Sequence, residues 1–199
     1  LAAERELLAS QVTPDTLKEI FRENLSTEGS GNYRDVGPGN LVRGNFSKKG
    51  SIEGIVYIYD QNQSHAEGYA ELWLMQFENS WKPVRQIYDM DNLDYEIIDI
   101  DKDGLSEILV TGAGGIMGEM YYFTTIFSLR DDTKKELFSA SGHSYRDEYE
   151  SHGIKLEDID RDGILEVIDN YSEQSGNEYG ELVEKEAVYT YKLKGGKYE

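Results

Sequence analysis

The strongest chemical signal in this sequence is an acidic pattern, D-x-D-x-D-G-x-x-E, that occurs twice. The first copy runs from Asp99 to Glu107 and the second from Asp158 to Glu166. Side chains at positions 1, 3 and 5 converge when the chain curls tightly, and the glycine at position 6 permits the positive φ that completes the curl. Carboxylates at positions 1, 3, 5 and 9, with the backbone carbonyl of position 7, then present five or more hard oxygen ligands.

Such an oxygen cage suits Ca²⁺, whose ligands lie at about 2.3–2.6 Å. Mg²⁺ demands a strict octahedral shell, and Zn²⁺ prefers nitrogen or sulfur. Without an ion, the carboxylates of one loop would repel one another. We therefore predict two calcium sites. The predicted ligands are Asp99, Asp101, Asp103, Leu105 and Glu107 in the first acidic loop, and Asp158, Asp160, Asp162, Ile164 and Glu166 in the second.

A third, degenerate copy of the pattern begins at Asn45 and ends at Glu53. It has Asn45, Ser47 and Lys49 where the acidic copies have aspartates, so we predict no metal there and expect the Lys49 ammonium to pair with Glu53. The three copies begin 54 and 59 residues apart. A period near fifty residues is typical of repeated supersecondary units such as propeller blades or solenoid rungs.

The segments between these loops have the alternating pattern and turn residues of β-hairpins. The predicted hairpins are 69–77 with 81–88, 120–129 with 134–139, and 187–193 leading into the turn 194–197. Strands of this kind at both flanks of each acidic loop predict an all-β domain.

The chain begins with its only convincing helical stretch, residues 1–26, in which Thr13 is a suitable N-cap and Pro14 a suitable first helical residue. We expect it to cover an edge or end of the main domain. Its apolar residues share one face: Leu17, Ile20, Phe21 and Leu25. The predicted organisation is a helical segment at 1–27, a linker at 28–40 and a β-repeat domain at 41–199, with three units that start near residues 45, 99 and 158.

The acidic loops differ from an EF-hand, which needs a glutamate at position 12 and a helix on each side. Position 12 is Val110 in one copy and Asp169 in the other. Loops that end at position 9 and lead into a strand resemble the calcium loops of FG-GAP repeats, also called VCBS-type repeats, of integrin α-subunit propellers and many bacterial surface proteins. The resemblance covers residues 41 to about 199. It implies an all-β, propeller-like or partial-propeller stack of antiparallel hairpins, with calcium at the loop that begins each unit.

The same resemblance implies an exported protein, a lipoprotein or secreted module of the cell envelope, that binds a protein partner. A weaker resemblance is to small calcium-binding envelope proteins of bacteria that inhibit lysozyme-like cell-wall hydrolases. The formal net charge of -19 would steer this chain toward a basic enzyme of that kind.

Charge and composition exclude other classes of function. A strongly negative chain is unsuited to nucleic acid or an anionic membrane surface, and no apolar run has the length of a membrane span. The absence of cysteine excludes disulfides and thiolate catalysis.

No constellation of residues supports catalysis, so we expect a non-catalytic protein, with an enzyme of unrecognised site as the alternative. Residues 111–118 resemble a glycine-rich dinucleotide loop, but the segment after them has the pattern of a strand, which favours a loop between blades. His65, His143 and His152 lie in polar surroundings typical of exposed loops. The polar, tyrosine-rich segment Ser139–Gly153 is the predicted recognition loop.

Overall fold

The computed structural model describes residues 2–24, 41–59, 70–90, 93–177 and 180–199. The chain divides into two compact units, Leu1–Asp91 and Asn92–Glu199. The degenerate loop belongs to the first unit, and both acidic loops belong to the second. Leu25 of the predicted helix face and the predicted linker at 28–40 lie outside the described residues.

The first unit combines two helices with a four-stranded antiparallel sheet of order β1-β2-β3-β4. The predicted hairpin around residues 78–80 is present as β3 and β4, and the degenerate loop joins β1 to β2. The elements are α1 (Ala2–Ser10), α2 (Pro14–Asn24), β1 (Leu41–Gly44), β2 (Glu53–Tyr59), β3 (Ala70–Phe77) and β4 (Trp81–Met90).

The predicted helical stretch forms two helices, because the chain starts a new helix at Thr13. The Thr13 hydroxyl accepts a hydrogen bond from the backbone N–H of Thr16 at 3.2 Å, which satisfies one of the free donors of the first turn. Pro14 occupies the first helical position, where its missing N–H costs nothing. The predicted cap is therefore confirmed, and it separates α1 from α2.

Both helices pack on one face of the first sheet. Leu17 and Phe21 of α2 are buried, and the indole N–H of Trp81 donates to the Ala9 carbonyl of α1 at 3.0 Å. The core formed in this way contains Ala9, Leu17, Phe21, Val56, Ile58, Met75, Phe77 and Trp81.

The second unit is a meander of antiparallel strands in which each strand of the main sheet pairs with the next. This sheet, with the first, confirms the all-β class, and the described strands close into no barrel or propeller ring. The elements are β5 (Leu93–Ile98), β6 (Glu107–Ile116), β7 (Glu119–Ser128), β8 (Lys135–Tyr145), β9 (Glu148–Glu157), β10 (Glu166–Gly176), β11 (Leu182–Tyr191), β12 (Leu193–Lys194) and β13 (Lys197–Tyr198).

The topology of this meander decides where its functional loops lie. The connections of a meander alternate between the two ends of the sheet. The acidic loops join β5 to β6 and β9 to β10, so both lie at one end, together with the β7–β8 turn and the segment that follows β11. We call this the acidic end.

The core of the second unit anchors the acidic end. Ile100, at position 2 of the first acidic loop, is buried in it, and the ring of Phe138 contacts Tyr191 and Tyr198 with centroids 5.3 and 6.3 Å apart. The predicted turn at residues 194–197 joins β12 to β13. The buried members of the core are Ile100, Ile126, Leu137, Phe138, Val167 and Tyr198.

The predicted loop conformation of Ser139–Gly153 is wrong, because these residues form β8 and β9 with a short turn at residues 146–147. A recognition role for this segment stays a prediction. A Cβ at Gly142 would collide with the carbonyl of Glu150. The glycine therefore permits a close approach of two backbones rather than a turn. The glycine-rich segment 111–118 is likewise mostly strand β6 and not a loop.

The two described histidines also lie in strands and not in loops, His143 in β8 and His152 in β9. His152 is largely buried, and its Nδ1 lies 2.8 Å from a carboxylate oxygen of the buried Asp169 in β10. His65 lies outside the described residues.

Candidate metal centre

Each of the three loops has the same hydrogen bond between position 2 and position 9. In each, the glutamate at position 9 is almost fully buried, and its Oε2 accepts a hydrogen bond from the backbone N–H of position 2. Because this bond ties the end of the loop to its beginning, it starts the following strand at the same point in each copy. The bonds join Phe46 to Glu53 at 2.9 Å, Ile100 to Glu107 at 3.1 Å and Ile159 to Glu166 at 2.8 Å.

The aspartates of the first acidic loop each use one oxygen to shape the backbone. Asp99 Oδ2 accepts from the Gly104 N–H at 3.0 Å. Asp101 Oδ1 accepts from the Asp103 N–H at 3.2 Å, and Asp103 Oδ1 accepts from the Leu105 N–H at 2.8 Å. Gly104 has a φ of 86°, the left-handed conformation that the pattern predicts at position 6.

The second acidic loop has the same hydrogen bonds at the same positions. Asp158 Oδ2 accepts from the Gly163 N–H at 3.2 Å. Asp160 Oδ1 accepts from the Asp162 N–H at 3.2 Å, and Asp162 Oδ1 accepts from the Ile164 N–H at 2.8 Å. In both loops the other oxygen of each aspartate takes no part in these backbone bonds.

The acidic side chains converge in both loops. Each loop contributes three carboxylates whose ligand atoms lie within 4.8 Å of one another, from positions 1, 3 and 9. The position 5 aspartates, Asp103 and Asp162, do not join these groups. Leu105 and Ile164 hold position 7 in the curl, and their carbonyls stay predicted ligands. The converging groups are Asp99, Asp101 and Glu107, and Asp158, Asp160 and Glu166.

One oxygen in each group is buried without a partner. Asp99 Oδ1 and Asp158 Oδ1, both at position 1, are shielded from solvent and accept no hydrogen bond. A buried polar atom without a partner costs free energy, and a charged one costs more. A cation bound among the converging oxygens would remove that cost, and an all-oxygen set of this kind fits Ca²⁺.

A guanidinium already contacts the first acidic loop. Arg130, in the β7–β8 turn, places its Nη2 2.8 Å from Asp101 Oδ2 and 3.2 Å from Glu107 Oε1. Its Nη1 lies 2.7 Å from Asp103 Oδ2. These ion pairs outweigh the effect of burial and raise the pKa of Arg130. Arg130 thus binds three of the four carboxylates and leaves Asp99 Oδ1 alone.

A lysine contacts the second acidic loop less fully. Lys192, which follows β11, donates a short hydrogen bond to Asp160 Oδ2, and its Nζ lies 3.8 Å from Glu166 Oε1. The hydrogen bond lowers the pKa of Asp160 and raises that of Lys192. The lysine side chain is half-exposed, so water screens its charge.

The two acidic loops are direct neighbours. The Leu165 N–H of the second loop donates to the Ile100 carbonyl of the first at 3.0 Å. The Tyr198 hydroxyl donates to the Leu165 carbonyl at 2.6 Å, and burial together with the negative charges of both loops raises the pKa of that tyrosine. Lys102 Nζ, from the first loop, lies 3.9 Å from Asp158 Oδ2.

The degenerate loop satisfies its glutamate with neutral donors. Glu53 accepts hydrogen bonds from the backbone N–H groups of Phe46 and Ser47, both at 2.9 Å, from the Ser47 hydroxyl, and from the Gln76 amide at 3.0 Å. The expected pair with Lys49 is wrong, because Lys49 is exposed and the four donors already surround the carboxylate. Among the described residues, the degenerate loop contributes no group of converging ligands.

Glu53 and Glu107 show how the same position responds to different partners. Burial favours the neutral carboxyl at both. Hydrogen bonds from Ser47, Phe46 and Gln76 outweigh burial at Glu53 and lower its pKa. At Glu107 burial prevails over the bonds from Ile100 and Arg130, and the pKa is raised. Glu107 of the first acidic loop is therefore less well compensated than Glu53 of the degenerate loop.

Comparison with known protein families, with curated proteins and with solved structures gives no match to this chain. No helix in the described ranges is both long and apolar enough to cross a membrane. The site's own geometry is therefore the basis for assigning a function.

Proposed function

We propose that this protein is a non-catalytic calcium-binding module in which each acidic loop holds one Ca²⁺. The observation that carries the proposal is the buried, partnerless oxygen of Asp99 in one loop and of Asp158 in the other, each within a group of converging carboxylates. The ion would supply the positive charge that these groups lack. The aspartates would orient it, with their second oxygens held by the loop backbone.

In this proposal the ion acts on the backbone and not on a substrate. Glu107 and Glu166 are the first residues of β6 and β10, so an ion bound to them would fix the start of each strand. Affinities of extracellular calcium modules are about 10⁻⁴–10⁻³ M. Calcium concentrations outside the cytosol match such sites, and this supports an envelope or extracellular location.

We also propose that the three loops begin repeated units of a partial, propeller-like stack. Support comes from the position 2 to position 9 hydrogen bond that Glu53, Glu107 and Glu166 share. A repeat of this kind agrees with the resemblance to FG-GAP and VCBS-type proteins.

Thermal unfolding with and without calcium tests the metal assignment. We expect millimolar calcium to raise the melting temperature of the wild type, because a ligand that binds only the folded state stabilises it. Asp99→Asn with Asp158→Asn removes a negative charge from each loop without touching Arg130 or Lys192. The double variant should melt at one temperature with calcium or chelator.

Asp147→Asn is the matched control, because Asp147 is exposed in the β8–β9 turn at the end of the sheet opposite to the acidic end. It should keep the calcium response of the wild type. A wild-type protein that melts at the same temperature in calcium and in chelator would refute the metal assignment.

The partner proposed for this module is a basic protein. The formal net charge of -19 favours attraction to a positively charged surface, and an inhibitor of a lysozyme-like cell-wall hydrolase is the specific candidate.

A further inference from the structure

The contacts of Arg130 point to regulation of the first acidic loop, an inference that rests on the proposed calcium function. In the loop 99–107, one oxygen of each carboxylate accepts a hydrogen bond from the loop backbone, and the other does not. Arg130 contacts three of these second oxygens, on Asp101, Asp103 and Glu107, at 2.7–3.2 Å. It therefore occupies the ligand set that an ion would need.

A guanidinium at these oxygens opposes the binding of a calcium ion. Ca²⁺ takes six to eight oxygen ligands, and a positive charge beside them repels the ion. The charge-assisted hydrogen bonds that Arg130 makes are strong, so their loss also opposes ion binding. Calcium therefore competes with Arg130 for this loop.

Arg130 also lines a cavity of about 290 Å³ beside the first acidic loop. The wall of this cavity includes two of the contacted carboxylates, Asp101 and Glu107, together with Ser128, Leu137 and Leu193. The guanidinium therefore contacts its carboxylates at the edge of a space that protein atoms do not fill.

The second acidic loop lacks an equivalent barrier. Lys192 makes one close contact, with Asp160, and its Nζ is 3.8 Å from Glu166. The exposed Lys102 places its Nζ 3.9 Å from Asp158 Oδ2, a longer contact than any that Arg130 makes. The Lys192 side chain is half-exposed. Lys192 has one close carboxylate partner, whereas Arg130 contacts three carboxylates at once. The two loops have the same pattern and the same backbone bonds, so their tethered cations are the main difference between them.

We propose that Arg130 is an intramolecular competitor of calcium: it neutralises the loop 99–107 in the ion-free protein, and it makes this loop the weaker of two unequal calcium sites. The loop 158–166 fills first. The loop 99–107 fills at higher calcium concentration, and its filling releases the Arg130 guanidinium from these carboxylates.

Calorimetric titration of one-site variants with calcium chloride tests this order. Asp158→Asn leaves only the loop 99–107, and Asp99→Asn leaves only the loop 158–166. We expect the Asp158→Asn protein to bind calcium at least about tenfold more weakly than the Asp99→Asn protein, and Arg130→Gln in the Asp158→Asn background to recover at least about tenfold.

Two further variants isolate the charge and geometry of Arg130. Arg130→Lys keeps the charge but has a single ammonium for three carboxylates, so its calcium affinity should fall between those of the wild type and Arg130→Gln. Arg146→Gln, at the exposed β8–β9 turn, is the matched control and should leave the calcium affinity unchanged.

In chelator, Arg130→Gln should melt below the wild type, because the carboxylates lose their counter-cation.

The outcomes separate this inference from the function on which it rests. If neither one-site variant binds calcium, with or without Arg130→Gln, the proposed calcium function fails. If the loop 158–166 binds calcium but Arg130→Gln leaves the loop 99–107 unchanged or empty, the calcium function stands and the competitor role of Arg130 is refuted.

Discussion

At the scale of single residues, Glu53 is the clearest case of a buried charge that the fold stabilises without an ion. Four neutral donors surround its carboxylate, and they hold its pKa below the ordinary value of 4.5. A carboxyl whose pKa is lowered on folding contributes stability above its unfolded pKa, and this contribution is lost as the pH falls through the folded pKa. The degenerate loop should therefore weaken in acid.

Glu53→Gln tests this contribution. The amide keeps an oxygen for the backbone donors but turns an N–H₂ group toward Ser47 and Gln76, so we expect a loss of about 2 kcal/mol of unfolding free energy at pH 7. The loss should shrink as the pH falls from 4.5 through the lowered pKa of the folded state, where the wild-type carboxyl becomes protonated. Denaturant unfolding across pH measures both effects.

Glu78→Gln is the control, since Glu78 is exposed in the β3–β4 turn of the same unit. The Glu53 variant should also respond to calcium as the wild type does. An equal loss of stability at pH 7 and pH 3 would contradict the assigned ionisation.

The sequence predicts the acidic residues of the site but not the cations beside them. The spacing of Asp99, Asp101 and Glu107 within one loop brings them together, because local curling decides their positions. Arg130 and Lys192 reach the loops only through the order of strands, and no spacing in the sequence encodes that order. A signal does exist: in a meander, the turn two strands further on returns to the same end of the sheet.

At the scale of elements, a high glycine content does not by itself indicate a loop in this chain. Glycine-rich, polar segments favour loops on composition, yet Gly142 lies in β8, where its missing side chain lets Glu150 of β9 approach closely. Hairpins with aromatic and β-branched strands, such as β3–β4, could be predicted because the alternating pattern of the strands and the residues of the turn both indicate a hairpin. Gly142 could not be interpreted without knowing which strand lies beside it.

Gly142→Ala should destabilise the second unit by about 2 kcal/mol, because the added Cβ collides with the Glu150 carbonyl, which is backbone and cannot move freely. Gly153→Ala in β9 is the matched control, since its Cβ would meet Asn170 at 3.5 Å, an ordinary contact. The control should be neutral or slightly stabilising. Equal effects of the two substitutions in denaturant unfolding would show that close approach does not explain Gly142.

At the scale of the whole molecule, the two candidate ion sites belong to one unit and the degenerate loop to the other. The strand patterns predict the all-β class. They do not predict the division of the chain after Asp91, because the repeat of the three loops continues across that position. The candidate metal chemistry is therefore confined to residues 93–177 and 180–199 of the described chain.

The net charge of -19 carries the last prediction, which concerns the proposed partner. If the partner is a basic lysozyme-like hydrolase, the protein should slow cell-wall lysis by at least one member of a lysozyme panel. The association rate should fall at least about tenfold between low and physiological salt, since long-range attraction is screened. Succinylation of the hydrolase lysines reverses their charge and should abolish association, while lysis that is unchanged across the panel would refute this partner.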